Sequence, residues 1–219
     1  MMLIVFEGLD GVGKSTVVQG VINALNAKLM RTPSPLLKEA RRRCSDLPSE
    51  VGEALFDLGN MMASAEMIEM DAEIVVCDRY LVSTAARRIA SENVDSPELL
   101  QALSSWTWPE HLLEPTLSVH LCLQEDERKK RVRHRGEMTA DEERLEVDSR
   151  YRAALLMAYS ELCDITIDLT GLDEEQAVAW VMTCLRERID ALHEIAVNPE
   201  IEEDSRSREE RERDWYCGA

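Results

Sequence analysis

The chain has 219 residues, 45% of them hydrophobic, which suits one α/β domain with a sizeable core and requires no second domain. Its net charge of −18 would repel phosphate backbones, so a nucleic-acid polymer is excluded as a general partner and any anionic ligand must be held locally. No apolar stretch approaches the length needed to cross a bilayer, and six scattered cysteines without a Cys-x-x-Cys pair argue for reduced thiols over disulfides or zinc.

The first predicted element is a strand from Met2 to Phe6, beginning too early to leave room for a signal peptide, so we expect a cytoplasmic protein with no membrane partner. Gly8-Leu9-Asp10-Gly11-Val12-Gly13-Lys14-Ser15-Thr16 follows at once, a complete P-loop in strand–turn–helix context. Gly8, Gly11 and Gly13 let the backbone curl so that its N–H groups face phosphates. Lys14 supplies a point charge for the β/γ oxygens, and Ser15 a hydroxyl for Mg²⁺. The helix that starts near Lys14 adds its positive end, with Thr16 in the first turn. These residues predict binding of a nucleoside triphosphate, ATP, with Mg²⁺.

Short, nearly continuous apolar runs predict four more strands, at Ala27–Met30, Ile74–Cys77, Leu117–Leu123 and Ile165–Leu169. Helices are predicted at Lys14–Asn26, Pro35–Cys44, Ser49–Met70, Val82–Ala90, Pro97–Ser105, Glu125–Arg135, Ala140–Leu162 and Glu174–Ile195. Buried strands alternating with amphipathic helices imply a three-layer α/β/α domain with a five-stranded parallel sheet, its ligands outside the carboxyl ends of the strands. Met61, Met62, Met67 and Met70 recur at helical spacing and read as core or subunit interface. From Asn198 the chain becomes a charged tail, equally compatible with a solvated helix and with disorder. The expected organisation is a domain over residues 1–197 with a lid at about 125–146, then the tail 198–219.

Two further constellations carry chemistry. Asp78 and Arg79 sit at the carboxyl end of a buried strand, where Asp78 suits Mg²⁺ and Arg79 a phosphoryl group, though an ion pair capping the strand is the plainer alternative. Arg128, Lys129, Lys130, Arg131, Arg133 and Arg135 concentrate positive charge on one predicted helix. Arginines delivered by a closing lid stabilise charge on a transferring phosphoryl group, while pairing to Glu125, Asp126 and Glu127 is the alternative.

With these residues in order, the chain resembles the thymidylate kinase family of P-loop nucleoside monophosphate kinases, over residue 2 to about 185. Phe6-Glu7-Gly8-Leu9-Asp10-Gly11 is similar to the family's loop, which implies that Asp10 addresses the acceptor sugar's 3′-hydroxyl. Arg31-Thr32-Pro33, Leu55-Phe56 and Asp78-Arg79-Tyr80 with Ser83 and Thr84 also match, as do Arg131-Val132-Arg133-His134-Arg135-Gly136 and Glu143-Arg144-Leu145-Glu146. Val12 stands where one branch has arginine, so the resemblance is to the branch whose lid arginines supply that charge. Two positions depart from the family: Asn60 replaces an arginine of the acceptor region, and Arg87 an aromatic that crowds the sugar.

The resemblance implies ATP-dependent transfer to a nucleoside 5′-monophosphate, foremost dTMP or a 5-substituted dUMP, by a homodimer. Asp10, Lys14, Arg79, Arg131, Arg133 and Arg135 would be catalytic, and Arg31, Phe56, Asn60, Arg79, Thr84 and Arg87 would shape the acceptor site with Asp10. Ser15 and Asp78 would hold Mg²⁺. A kinase for an unphosphorylated nucleoside or other hydroxyl, with Glu7, Asp10 or Asp78 as base, remains open, as does a non-catalytic nucleotide switch.

Overall fold

The computed structural model describes residues 1–34, 37, 39–40, 49–93, 98–136 and 138–197. Five strands, β1 (Met2–Glu7), β2 (Lys28–Arg31), β3 (Ile74–Asp78), β4 (Leu117–Cys122) and β5 (Ile165–Asp168), form one parallel sheet in the order β2-β3-β1-β4-β5. The helices are α1 (Lys14–Leu25), α2 (Ser49–Glu69), α3 (Leu81–Glu92), α4 (Leu99–Ser105), α5 (Glu125–Arg135), α6 (Ala140–Val147), α7 (Ser149–Leu162) and α8 (Glu174–Val197). The predicted three-layer α/β/α sheet architecture is the observed one.

Burial on both faces explains the apolar strand sequences. Leu3 and Val5 of β1 join a core with Met30, Val75, Cys77, Met67 and Tyr80. The alternate residues Ile4 and Phe6 are fully buried too, and by the two-residue period they serve the opposite face. Trp106 and Trp108 pack against that first core, Trp108 Nε1 donating to the Leu112 carbonyl at 3.0 Å, which makes them loop packing. Met67 lies in the core while Met61 is exposed.

One predicted helix divides. Ala140–Leu162 reads as continuous, but the chain breaks at Asp148, whose Oδ1 accepts the Tyr151 N–H at 2.9 Å and caps a new helix. The preceding helix α6 starts with a capping box between Thr139 and Glu142. The predicted helix Pro35–Cys44 falls largely, and the tail from Asn198 wholly, outside the described residues. By compactness the chain divides into two units, Met1–Ala179 and Trp180–Ala219. The sheet and every candidate site residue belong to the first; the described part of the second is helical to residue 197.

Strand register sets the site. Phe6 pairs with Asp78, Arg31 with Asp78 and Glu7 with His120, so the carboxyl ends of β1, β2 and β3 converge beside the P-loop.

Candidate active site

The loop between β1 and α1 is built by close approach. A Cβ on Gly8 would lie 2.3 Å from the Leu121 carbonyl oxygen, and one on Gly11 would lie 2.5 Å from Val132 Cγ2; both glycines have positive φ, at 132° and 90°. Lys14 is buried at the start of α1, and its Nζ donates to the carbonyls of Gly8 (3.0 Å) and Leu9 (2.7 Å). Burial and then the Arg79 charge lower its pKa to about 7, against the pull of Asp10, Asp78 and Glu7. Asp10, Gly11, Gly13, Lys14, Ser15 and Thr16 line an open cavity of about 1770 Å³.

Arg79 follows β3 in a left-handed conformation, φ 69°, which costs a non-glycine residue about 1–2 kcal/mol. Its surroundings over-determine that geometry. The Arg79 N–H donates to the Phe6 carbonyl at 3.0 Å, and its own carbonyl accepts from Thr32 Oγ1 at 2.9 Å and Cys77 Sγ at 3.0 Å. The guanidinium reaches Asp10 Oδ1 (2.6 Å), Ser83 Oγ (3.1 Å) and the Tyr159 hydroxyl (3.3 Å). Burial alone would raise the Asp10 carboxyl, but Arg79 and Lys14 beside it hold it well below the usual carboxylate range.

Glu7 supports this network from beneath. Its Oε1 accepts the N–H groups of Tyr80 (2.9 Å) and Ser83 (3.2 Å) at the start of α3, and Oε2 pairs with Ser83 Oγ, which in turn meets Tyr159 at 3.1 Å. Complete burial pushes the Glu7 carboxyl up to about 7, the hydrogen bonds from Ser83 and the Arg79 charge opposing it. Tyr159 also stacks on His120 at 5.3 Å; burial, then Lys14, lowers that histidine to about 4 and keeps it neutral.

Phe56, Thr84, Arg87 and Arg31 also line the cavity. The Arg87 guanidinium lies 5.1 Å from the Phe56 ring centroid and donates to Asp141 at 2.9 Å. Asn60 is 2% exposed and off the wall; its Nδ2 donates to Thr84 Oγ1 at 3.0 Å, so it acts on the cavity through Thr84. Arg31 is half-exposed, with Nε 3.9 Å from Asp78 Oδ2.

Helix α5 closes the third side. Arg131 and Arg135 line the cavity, but Arg133, expected with them, lies off the wall and pairs with Glu146 at the surface. Arg135 pairs with Glu142, a buried carboxylate of the α6 cap. Gly8 is also off the wall, its place being fixed against β4. Ser15 Oγ donates to Asp78 Oδ2 at 3.3 Å, so two hard oxygen donors on the wall fit a Mg²⁺ that keeps most of its shell for water and phosphate. Among the described residues no cluster of three or more His, Cys, Asp and Glu offers a protein-only metal cage.

Sequence reading offers Glu7 as a base for a hydroxyl acceptor and Arg128 as one of a run of lid cations or, alternatively, a partner of Glu125; both residues are buried supports of the site, and Arg128 does pair with Glu125. An acidic residue ending an apolar strand is the one available signal for Glu7. Tyr159 and Asp141 carry none.

The family model described as Thymidylate kinase matches residues 6–178. The chain is 34% identical over 166 residues to UMP-CMP kinase 2, mitochondrial, of Homo sapiens, covering 73% of this chain and 36% of that protein. It is 32% identical over 167 residues to the thymidylate kinase of Desulfotalea psychrophila, covering 66% of this chain and 75% of that one. In fold it is similar to the thymidylate kinase of Candida albicans (TM-score 0.63, 21% identity, 85% of this chain and 92% of that one). The deoxyadenosine kinase of M. mycoides is likewise similar (TM-score 0.55, 19% identity, 84% and 100%). The chain spans about a third of the human relative, so these similarities speak for the matched domain. The match of the family model over most of the chain shows that the chain belongs to the thymidylate kinase family of P-loop nucleoside monophosphate kinases.

Proposed function

We propose that the protein transfers the γ-phosphoryl group of ATP to the 5′-phosphate of a nucleoside monophosphate, dTMP or a 5-substituted dUMP foremost, giving ADP and a nucleoside diphosphate. The observation that carries this reading is the convergence on one cavity of the Lys14 loop, the Asp10–Arg79 pair and the α5 arginines. Phosphoryl transfer asks for positioning and charge stabilisation more than for covalent help.

The N–H groups of Gly11 and Gly13 and the ammonium of Lys14 would take the donor phosphates. Lys14 then exchanges its two loop carbonyls for anionic oxygens. Arg79, rigid through three side-chain partners, would face the phosphoryl group between donor and acceptor, and Arg131 and Arg135 would approach it from α5. Asp10, held ionised, would accept from the acceptor sugar, with Phe56 stacking on the base and Thr84, Arg87 and Arg31 bounding it. Mg²⁺ held by Ser15 and Asp78 would neutralise charge on the donor phosphates. No general base is required, because the acceptor phosphate is already anionic.

UMP or CMP is the second acceptor class: the human relative is named UMP-CMP kinase 2, and Asn60 and Arg87 alter the acceptor pocket relative to the family pattern. We further propose Mg²⁺ dependence, a homodimer, a cytoplasmic setting, and a catalytic domain over 1–197 with its lid at about 125–146 ahead of a tail at 198–219.

The test is ADP release from Mg-ATP against dTMP, 5-substituted dUMPs, dUMP, dCMP, UMP and dGMP, with the matching nucleosides alongside. The proposal expects stimulation by monophosphates and none by nucleosides. Stimulation by nucleosides alone, or by no acceptor, would contradict it.

A further inference from the structure

Arg128 is 2% exposed although it sits in a run of charges, and its whole guanidinium is engaged. Nε and Nη2 donate to the two Glu125 oxygens at 2.7 and 2.9 Å, and Nη1 donates to the Asp10 carbonyl at 3.0 Å. One turn later Arg131 Nη1 donates to the Val12 carbonyl at 3.3 Å. A trans peptide unit is planar, so its C=O and its N–H point in opposite directions. Drawing the Asp10 and Val12 carbonyls toward α5 therefore turns the N–H groups of Gly11 and Gly13 away from α5, and both glycines border the cavity.

The two arginines differ in freedom. Arg131 is about a third exposed, shares itself with Glu127 at 2.6 Å, and can leave Val12 to follow a ligand. Arg128 has no such outlet. Its partner Glu125 is flanked by Arg152 (3.4 Å) and Lys129 (3.8 Å), and Val132 is so close to Gly11 that a methyl group would not fit between them.

We infer that Arg128 is a positioning residue for triphosphate binding: it fixes the Asp10 carbonyl so that the Gly11 N–H is presented before the ligand arrives. Resting on the reading that the loop binds a nucleoside triphosphate, the inference separates the two ends of the cavity. Lys14 releases the Gly8 and Leu9 carbonyls when phosphates bind, whereas Arg128 keeps hold of Asp10 throughout.

The experiment is Mg-ATP titration by calorimetry on the full chain, wild type against Arg128→Met and Arg128→Lys, with acceptor KM measured in parallel and both taken well below each variant's thermal midpoint. A charge-assisted hydrogen bond of this kind predicts a Kd for ATP weakened about tenfold or more in R128M, with acceptor KM changed less than about twofold. R128K keeps the charge but cannot span Asp10 and Glu125 together, and an intermediate loss is expected. Wild-type ATP affinity in R128M, or equal losses for ATP and acceptor, overturns the inference. Should R128M fail to fold, wild-type affinity in R128K overturns it in the same way. A wild-type protein that does not bind ATP would instead sink the proposed function, a result distinguishable from failure confined to the variants.

Discussion

Replacing Glu7 by Gln isolates one buried titration from everything else in the molecule. The carboxyl is fully buried and its pKa stands at about 7 against an ordinary 4.5. Because the folded value lies above the unfolded one, the native state binds the proton more tightly. The associated stabilisation is fully present below pH 4.5 and is lost as the pH rises through 7. A rise from 4.5 to about 7 corresponds to about 3 kcal/mol. Glutamine keeps the geometry: its carbonyl oxygen can accept the N–H groups of Tyr80 and Ser83, and its amide can donate to Ser83 Oγ. Urea unfolding of both proteins from pH 4.5 to 8 gives the difference in stability at each pH, in which all other titrations cancel to first order. The expected result is that wild type loses about 3 kcal/mol relative to Glu7→Gln across the window. A difference flat to within about 0.5 kcal/mol would refute the buried protonation of Glu7.

Lys14→Ala should abolish turnover. In the wild type the lowered pKa of Lys14 predicts that ATP binding at pH 8.5 takes up nearly one proton, because phosphate oxygens favour the charged amine. Calorimetry in two buffers of different ionisation enthalpy measures this; no uptake would mean that Lys14 is already charged in the empty loop. Arg135→Ala should lower kcat by about tenfold or more with little change in ATP affinity, read by steady-state kinetics, since Arg135 reaches the cavity from α5 outside the loop. Gly11→Ala, with φ at 90° and Val132 Cγ2 in the way, should destabilise the fold by about 1–3 kcal/mol in urea melts and weaken ATP binding.

What was legible in the sequence is what short-range pattern determines. The P-loop is local: nine consecutive residues specify turn, charge and hydroxyl, and their cradle follows from backbone freedom at the glycines. The parallel sheet was legible because burial on both faces leaves strands apolar throughout. The division of Ala140–Leu162 was not, because Asp148 has a polar character equally suited to an exposed helix face, and only its bond to the Tyr151 N–H marks it as a cap.

Long-range placement hid the rest. Asn60 reads as an acceptor-site residue but is covered and works through Thr84, a partner 24 positions away. Arg128 and Arg133 belong to one charge run, yet one is sealed against the Asp10 carbonyl and the other meets Glu146 at the surface. Residue type predicts charge; which arginine is buried depends on where the P-loop, with Asp10 118 residues before Arg128, passes the helix.

Following the label from γ-labelled ATP in the presence of Mg²⁺ and dTMP, then UMP and CMP, tests the central claim most directly. The account predicts that label appears at the terminal position of a nucleoside diphosphate, in step with ADP. Label released as inorganic phosphate irrespective of acceptor, or carried to a nucleoside hydroxyl, would contradict it.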